Sequence, residues 1–220
     1  MRLTPAKEAA STPILSNGYF SKIARTFSRD WGVTVEINGD GAFADLKNKK
    51  INLPATADFL EGEGRKALEG LLDHETAHIR AEFEASSEAA RPSSVIETAL
   101  RESDRLKHFV NVYEDARIEF EAGAKWIGVR DNLEAKGEFL LKIARTKSRS
   151  EPLPAIYLLT IAILGRVRGI DKSIAWVPKE TLELVDGLLL TNHCQPEVFL
   201  PRVNNWPGQH ICNHKLVYLY

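Results

Sequence analysis

The chain has 220 residues, 27 % of them charged, and a formal net charge of −1. That length accommodates one substantial domain or two small ones, and the charge balance excludes the strongly basic footprint of a nucleic-acid-binding protein. Its only two cysteines, Cys194 and Cys212, fall near the C-terminus, so no disulfide framework holds the rest together.

Met1 to Leu15 carries Arg2, Lys7 and Glu8 and has no apolar core. It reads as an N-terminal extension, residues 1–15, and not as a signal peptide. Ser16-Asn17 is a plausible cap for a first helix with Phe20, Ile23, Ala24 and Phe27 on one face, ending near Trp31-Gly32. Val33 to Ile37 alternates and is rich in β-branched residues, so a strand is expected. Asn38-Gly39-Asp40-Gly41 is a strong turn signal. Two further short strands are expected, Ala42 to Leu46 and Ile51 to Leu53. The second precedes the next helix closely and is expected to be an edge strand against which an extended chain could pair its backbone. A plain hairpin covering the helix is the competing expectation.

That next helix carries the most informative stretch, His74-Glu75-Thr76-Ala77-His78. Two histidines four residues apart sit about 40° apart around a helix and roughly 6 Å apart along it. Their imidazoles can converge on one ion, and Glu75 beside them can take a proton from a metal-activated water. Helical spacing of Ala67, Leu68, Leu71, Leu72, Ile79 and Phe83 supports the helix, with Lys66, Glu69, Asp73, Arg80 and Glu84 assigned to solvent. The histidines lie at the edge of the apolar stripe and Glu75 lies on it, where a carboxylate is costly unless chemistry needs it.

Ser86 to Ser94 reads as a small-residue linker, and Ser94-Val95-Ile96-Glu97 as a capping box. A long amphipathic segment follows, with Leu106, Phe109, Val110, Tyr113, Phe120 and Ala124 on its apolar face and Gly123, Gly128 and Gly137 punctuating what comes next. The remainder to Leu190 is expected to be helical, broken at Pro152-Leu153-Pro154 and at Pro178. The longest apolar run, Ala155 to Leu164, is too short for a bilayer span and suits a buried helix, and a cytoplasmic protein is expected. Residues 191–220 are poor in charge and hold His193, Cys194, His210, Cys212 and His214, whose spacing fits no common zinc module. A packed or partly disordered tail, or a chain end foreign to the domain, is expected there.

Zinc needs a third protein ligand and an open position for water. Glu114, in Asn111-Val112-Tyr113-Glu114-Asp115-Ala116-Arg117-Ile118-Glu119, is the best candidate. His108 competes with it, and Glu114 as part of a solvated charge run is the bland alternative. Tyr113, His108 and Arg117 are candidates for stabilising an oxyanion, with Arg117 able instead to pair with Asp115 or Glu121. A Glu delivered from a later helix resembles the thermolysin-like, or gluzincin, arrangement. That resemblance implies Asn111, Asp115 and Arg117 as candidate groups behind the ligands, and peptide-bond hydrolysis as the activity.

Glu114-Asp115-Ala116-Arg117-Ile118-Glu119, Gly123-Ala124 and Gly128-Val129-Arg130-Asp131-Asn132-Leu133 also resemble the N-terminal region of the aerobic cobaltochelatase CobT-type subunit. Taken with the His-Glu-x-x-His, they look like the metallopeptidase-like domain of related phage and bacterial proteins, over roughly residues 30 to 190. Those relatives often continue into a von Willebrand factor A domain and work beside a MoxR/CobS-type AAA+ ATPase. Here Asp171-Lys172-Ser173-Ile174-Ala175 lacks the second Ser of that domain's metal motif. The resemblance implies a predominantly helical α+β, zincin-like domain over residues 16–190 with a small N-terminal β-sheet. It also implies a Zn²⁺ site of His74, His78 and Glu114 with Glu75 as the catalytic base, acting on a peptide or protein substrate. The alternative it implies is a non-catalytic CobT-like subunit or adaptor for an AAA+ ATPase.

Overall fold

A computed structural model describes residues 17–84, 103–168 and 171–191. The N-terminal extension, the 86–94 linker, the capping box at Ser94 and the His/Cys-containing tail lie outside the described residues. Among those described, the protein is mostly helical with one small sheet, an α+β arrangement.

The first helix, α1 (Asn17–Ser28), buries Phe20 and Ala24 as its periodicity requires. Strands β1 (Thr34–Ile37), β2 (Phe43–Asp45) and β3 (Lys50–Leu53) follow. Their order is β1-β3-β2, with β1 parallel and β2 antiparallel to β3. The turn at Asn38 to Gly41 therefore does not close a hairpin between its neighbours. It folds over the end of β3, held by Asn52 Nδ2, which donates to the Asn38 and Gly41 carbonyls at 2.8 and 2.7 Å.

The expected edge strand, Ile51 to Leu53, is central instead. Its Ile51 and Leu53 side chains are fully buried, and a central strand buries both faces best. One edge, β1, is closed by α1: Ser21 Oγ accepts from Val35 N at 2.9 Å and Asn17 Oδ1 from Ile37 N at 3.3 Å. Among the described residues the other edge is β2, which packs on the His-Glu-x-x-His helix.

After a single short turn of helix, α2 (Ala57–Leu60), the chain enters α3 (Gly62–Glu84), which carries the motif. This helix is central to the molecule. It packs on α1, β2, β3, α4 (Asp104–Lys125) and α5 (Ile127–Ser150). Asp73, assigned to solvent from its spacing, is consequently 6 % exposed, and every residue from Gly70 to Ile79 is buried. Gly123 and Gly137 do not break helices; α4 and α5 run through them and are separated by Trp126 alone. The prolines at 152 and 154 separate α5 from α6 (Ala155–Val167), and Pro178 precedes α7 (Lys179–Thr191), as expected. No helix among the described residues is long and apolar enough to cross a membrane.

Two larger cores result. Phe20, Val35, Ile51, Leu53, Leu68 and Leu72 join α1, the sheet and α3. Val112, Ile163, Ile174 and Val185 join α4, α6 and α7. Between them α3 meets α5 at Gly70, where a Cβ would fall 2.2 Å from the Asn132 carbonyl oxygen. Gly70→Ala must therefore push two long helices apart. The alanine gains about 1 kcal/mol of helix propensity, but overpacking against backbone costs about 1–3 kcal/mol or more. A net loss of about 2 kcal/mol is expected in denaturant unfolding, and an unchanged midpoint would contradict this close approach.

Candidate metal centre

α4 packs on α3 with an unusual face. Its buried residues include Val112, Ala116, Ile118 and Ala122, but also Glu114, Asp115, Arg117 and Glu119. Phe120, expected on the apolar face, is 51 % exposed, and Ala124 is exposed as well. The side chains of Leu106, Phe109, Val110 and Tyr113 lie outside the described residues. Buried charge on both of two facing helices is tolerated only where it is paired or coordinates an ion.

His74, His78 and Asp115 are the side chains this packing brings together. One ligand atom of each lies within 4.8 Å of the others, and all three residues are buried. Asp115 Oδ1 stands 3.2 Å from His78 Nε2 and 3.7 Å from His74 Nε2. Atoms bound about 2.0–2.1 Å from a tetrahedral ion are separated by about 3.3–3.4 Å. The observed spacings bracket that value, so the group could hold a metal ion. The two rings cross at 89° with centroids 4.9 Å apart, an orientation that lets both present Nε2 to one point.

Glu119 fixes the first imidazole. Its Oε1 lies 2.8 Å from His74 Nδ1, which keeps that nitrogen protonated and turns Nε2 toward Asp115. Glu119 in turn receives hydrogen bonds from Lys136 Nζ of α5 and from Arg168 Nη2 at the end of α6. Four helices thus converge on one carboxylate. Burial alone would raise the Glu119 pKa, but Arg168, Lys136 and His74 outweigh it and hold the group well below its usual range. Burial, reinforced by Lys136, pushes His74 down to about 4, so the ring is neutral at neutral pH. Asp115 is lowered: burial would raise it, but the two imidazoles prevail.

Glu75 is fully buried, and neither of its carboxylate oxygens meets a donor with full hydrogen-bond geometry. His78, Lys136 and the backbone N–H of Ala44 on β2 favour the charged form without reversing the effect of burial. Burial pushes Glu75 up to about 7, where a carboxyl group both takes and gives protons at neutral pH.

The ligand expected at Glu114 is not in this group. Adjacent helical positions point about 100° apart, and Glu114 turns to Arg117, which donates from Nε to Oε2 at 2.9 Å and from Nη2 to Oε1 at 2.5 Å. Arg117 also donates to Glu121 Oε1 at 2.9 Å. It is 2 % exposed and locked into that ladder, so it is not placed to meet an oxyanion. Asp115, expected behind the ligands, stands at the histidines themselves, and Glu119 takes the supporting position. Asn111 is half-buried one turn before Asp115.

His108 is also outside the group. Its Nε2 lies 2.7 Å from Thr160 Oγ1, whose own proton goes to the Ile156 carbonyl at 2.9 Å. Nε2 must therefore be the donor, which fixes the tautomer. The Asp115–Glu119 pair was findable from sequence. Its four-residue spacing repeats that of His74 and His78, whereas Glu114, Arg117 and Glu121 satisfy one another at three and four residues.

Glu119→Gln should separate support from ligation. It keeps an oxygen near His74 but removes the charge facing Lys136 and Arg168. Metal affinity is expected to fall about 10–100-fold, read by competition with a chromogenic chelator. An unchanged affinity would show that His74 does not depend on this contact.

Comparison with family models, curated proteins and solved structures finds no match to this chain. Fold and site together define a helical α+β protein with a buried His-His-Asp group that could hold a metal ion.

Proposed function

We propose that the chain is a zinc-dependent hydrolase of peptide bonds, zincin-like in arrangement. His74, His78 and Asp115 hold the ion, and Glu75 moves the proton. The single observation that carries this is the pairing of three converging donors with a fully buried carboxylate beside them. A zinc ion bound there would supply a water acidic enough to attack at neutral pH and would polarise the scissile carbonyl.

Glu75 takes the proton of the attacking water and passes it to the leaving amine, a task suited to a carboxyl group titrating near 7. Two imidazoles and one carboxylate suit zinc better than calcium or magnesium, which prefer all-oxygen sites. Edge strand β2 lies on the same side of α3 as Glu75, since the Ala44 N–H approaches that carboxylate.

The test is hydrolysis of an internally quenched peptide library by the zinc-loaded protein. Cleavage should stop with 1,10-phenanthroline and return on adding zinc. A fully zinc-loaded protein that cleaves nothing, with or without chelator, would overturn the hydrolase reading and leave a structural ion.

A further inference from the structure

A cavity of about 640 Å³ opens on another side of α3, between α1 and the start of α5. Neither motif histidine lines it. Its size lies within the range of small-molecule sites, about 300–1,000 Å³. The walls are apolar at Ile23, Phe27, Trp126 and Val129. Among the described residues three cations also line it, Lys22, Arg29 and Arg80, with one carboxylate, Asp73.

The cations differ in how they are held. The Arg80 guanidinium lies 4.6 Å from the Trp126 ring centroid and donates from Nη1 to the Phe27 carbonyl at 2.9 Å. Phe27 in turn stands edge-on to Trp126, centroids 4.7 Å apart. The guanidinium is thereby fixed in the wall before any ligand arrives, which lowers the entropic cost of binding. Lys22 and Arg29 are exposed at the rim, and neither side chain has an ion pair among the described residues. The opposing Asp73 carboxylate is buried and accepts a hydrogen bond from Asn132 Nδ2 at 2.8 Å. Among the described residues, Lys22 and Arg29 outnumber the Asp73 carboxylate beside an apolar wall.

We propose that this cavity binds a small organic anion, a carboxylate carried on an apolar, ring-sized body. The carboxylate meets Lys22 and Arg29 at the rim, and the body covers Ile23 and Val129. The inference stands apart from the metal centre and does not depend on it.

N-acetyl-L-phenylalanine is a suitable probe, and its carboxamide is the neutral control. In NMR titration of the full chain, the acid should shift the Trp126 indole N–H and the Gly128 and Val129 amides at millimolar concentration. The amide should bind roughly tenfold more weakly, because the partly screened charge contacts to Lys22 and Arg29 are lost. Lys22→Glu with Arg29→Glu should weaken the acid by tenfold or more. Both positions are exposed, so the double variant is expected to fold. Equal binding of acid and amide, an unaffected double variant, or no shift at these three residues would each overturn the proposal.

Discussion

Glu75→Gln is expected to lower peptide hydrolysis by about 10²–10⁴-fold while leaving the metal content unchanged. The amide has nearly the shape of the acid but cannot accept a proton from water. The site favours the substitution structurally. Glu75 is fully buried, burial already pushes its pKa up to about 7, and a neutral amide avoids that desolvation cost. The variant should therefore be at least as stable as the parent in denaturant unfolding. Loss of activity with gain of stability would mark a group kept for chemistry at the expense of the fold. Hydrolysis at the parent rate would remove Glu75 from the mechanism.

Asp115→Ala is expected to weaken metal binding by about 10²–10⁴-fold. Structural zinc sites bind with about 10–16 kcal/mol at neutral pH. One ligand's share of that is about 3–5 kcal/mol, which converts to that factor. The neighbouring Glu114→Gln should behave differently. It leaves a buried Arg117 facing a neutral partner, where breaking a buried ion pair costs about 3–5 kcal/mol of stability. Glu121 still pairs with Arg117, so the loss falls at the low end of that range. Metal affinity should stay near that of the parent. Adjacent residues on one helix would thus separate into a ligand and a structural ion-pair partner, and titration with zinc against a competing chelator distinguishes them.

Much of the helical frame was legible in the sequence because it rests on local signals. The spacing of Phe20 and Ala24 placed α1, the alternation of Val33 to Ile37 placed β1, and Pro152, Pro154 and Pro178 placed the later breaks. The histidine pair and Glu75 were legible for the same reason, since four-residue spacing is a local geometric fact.

What failed depended on contacts distant in sequence. Strand order could not be read from Asn38-Gly39-Asp40-Gly41, because β3 outcompetes β2 for the place beside β1 by burying Ile51 and Leu53. Asp73 looked like a surface residue, but the elements packed around α3 enclose it. Phe120 and Ala124 were misplaced on α4 because amphipathic periodicity assumes that charge points outward. Here Asp115, Glu119 and Arg117 point inward, and Phe120 points out. Conflict between pattern and packing is expected where a site is built.

The resemblance to gluzincins favoured Glu114, whose carboxylate instead faces Arg117 in a local ladder that continues to Glu121.

The central claim is that His74, His78 and Asp115 together hold one zinc ion. Elemental analysis of the parent, Asp115→Ala and Glu114→Gln, purified side by side without chelator and dialysed against a trace of zinc, tests it most directly. The account predicts about one zinc per chain in the parent and in Glu114→Gln, and little in Asp115→Ala. Zinc retained by Asp115→Ala but lost from Glu114→Gln would contradict it.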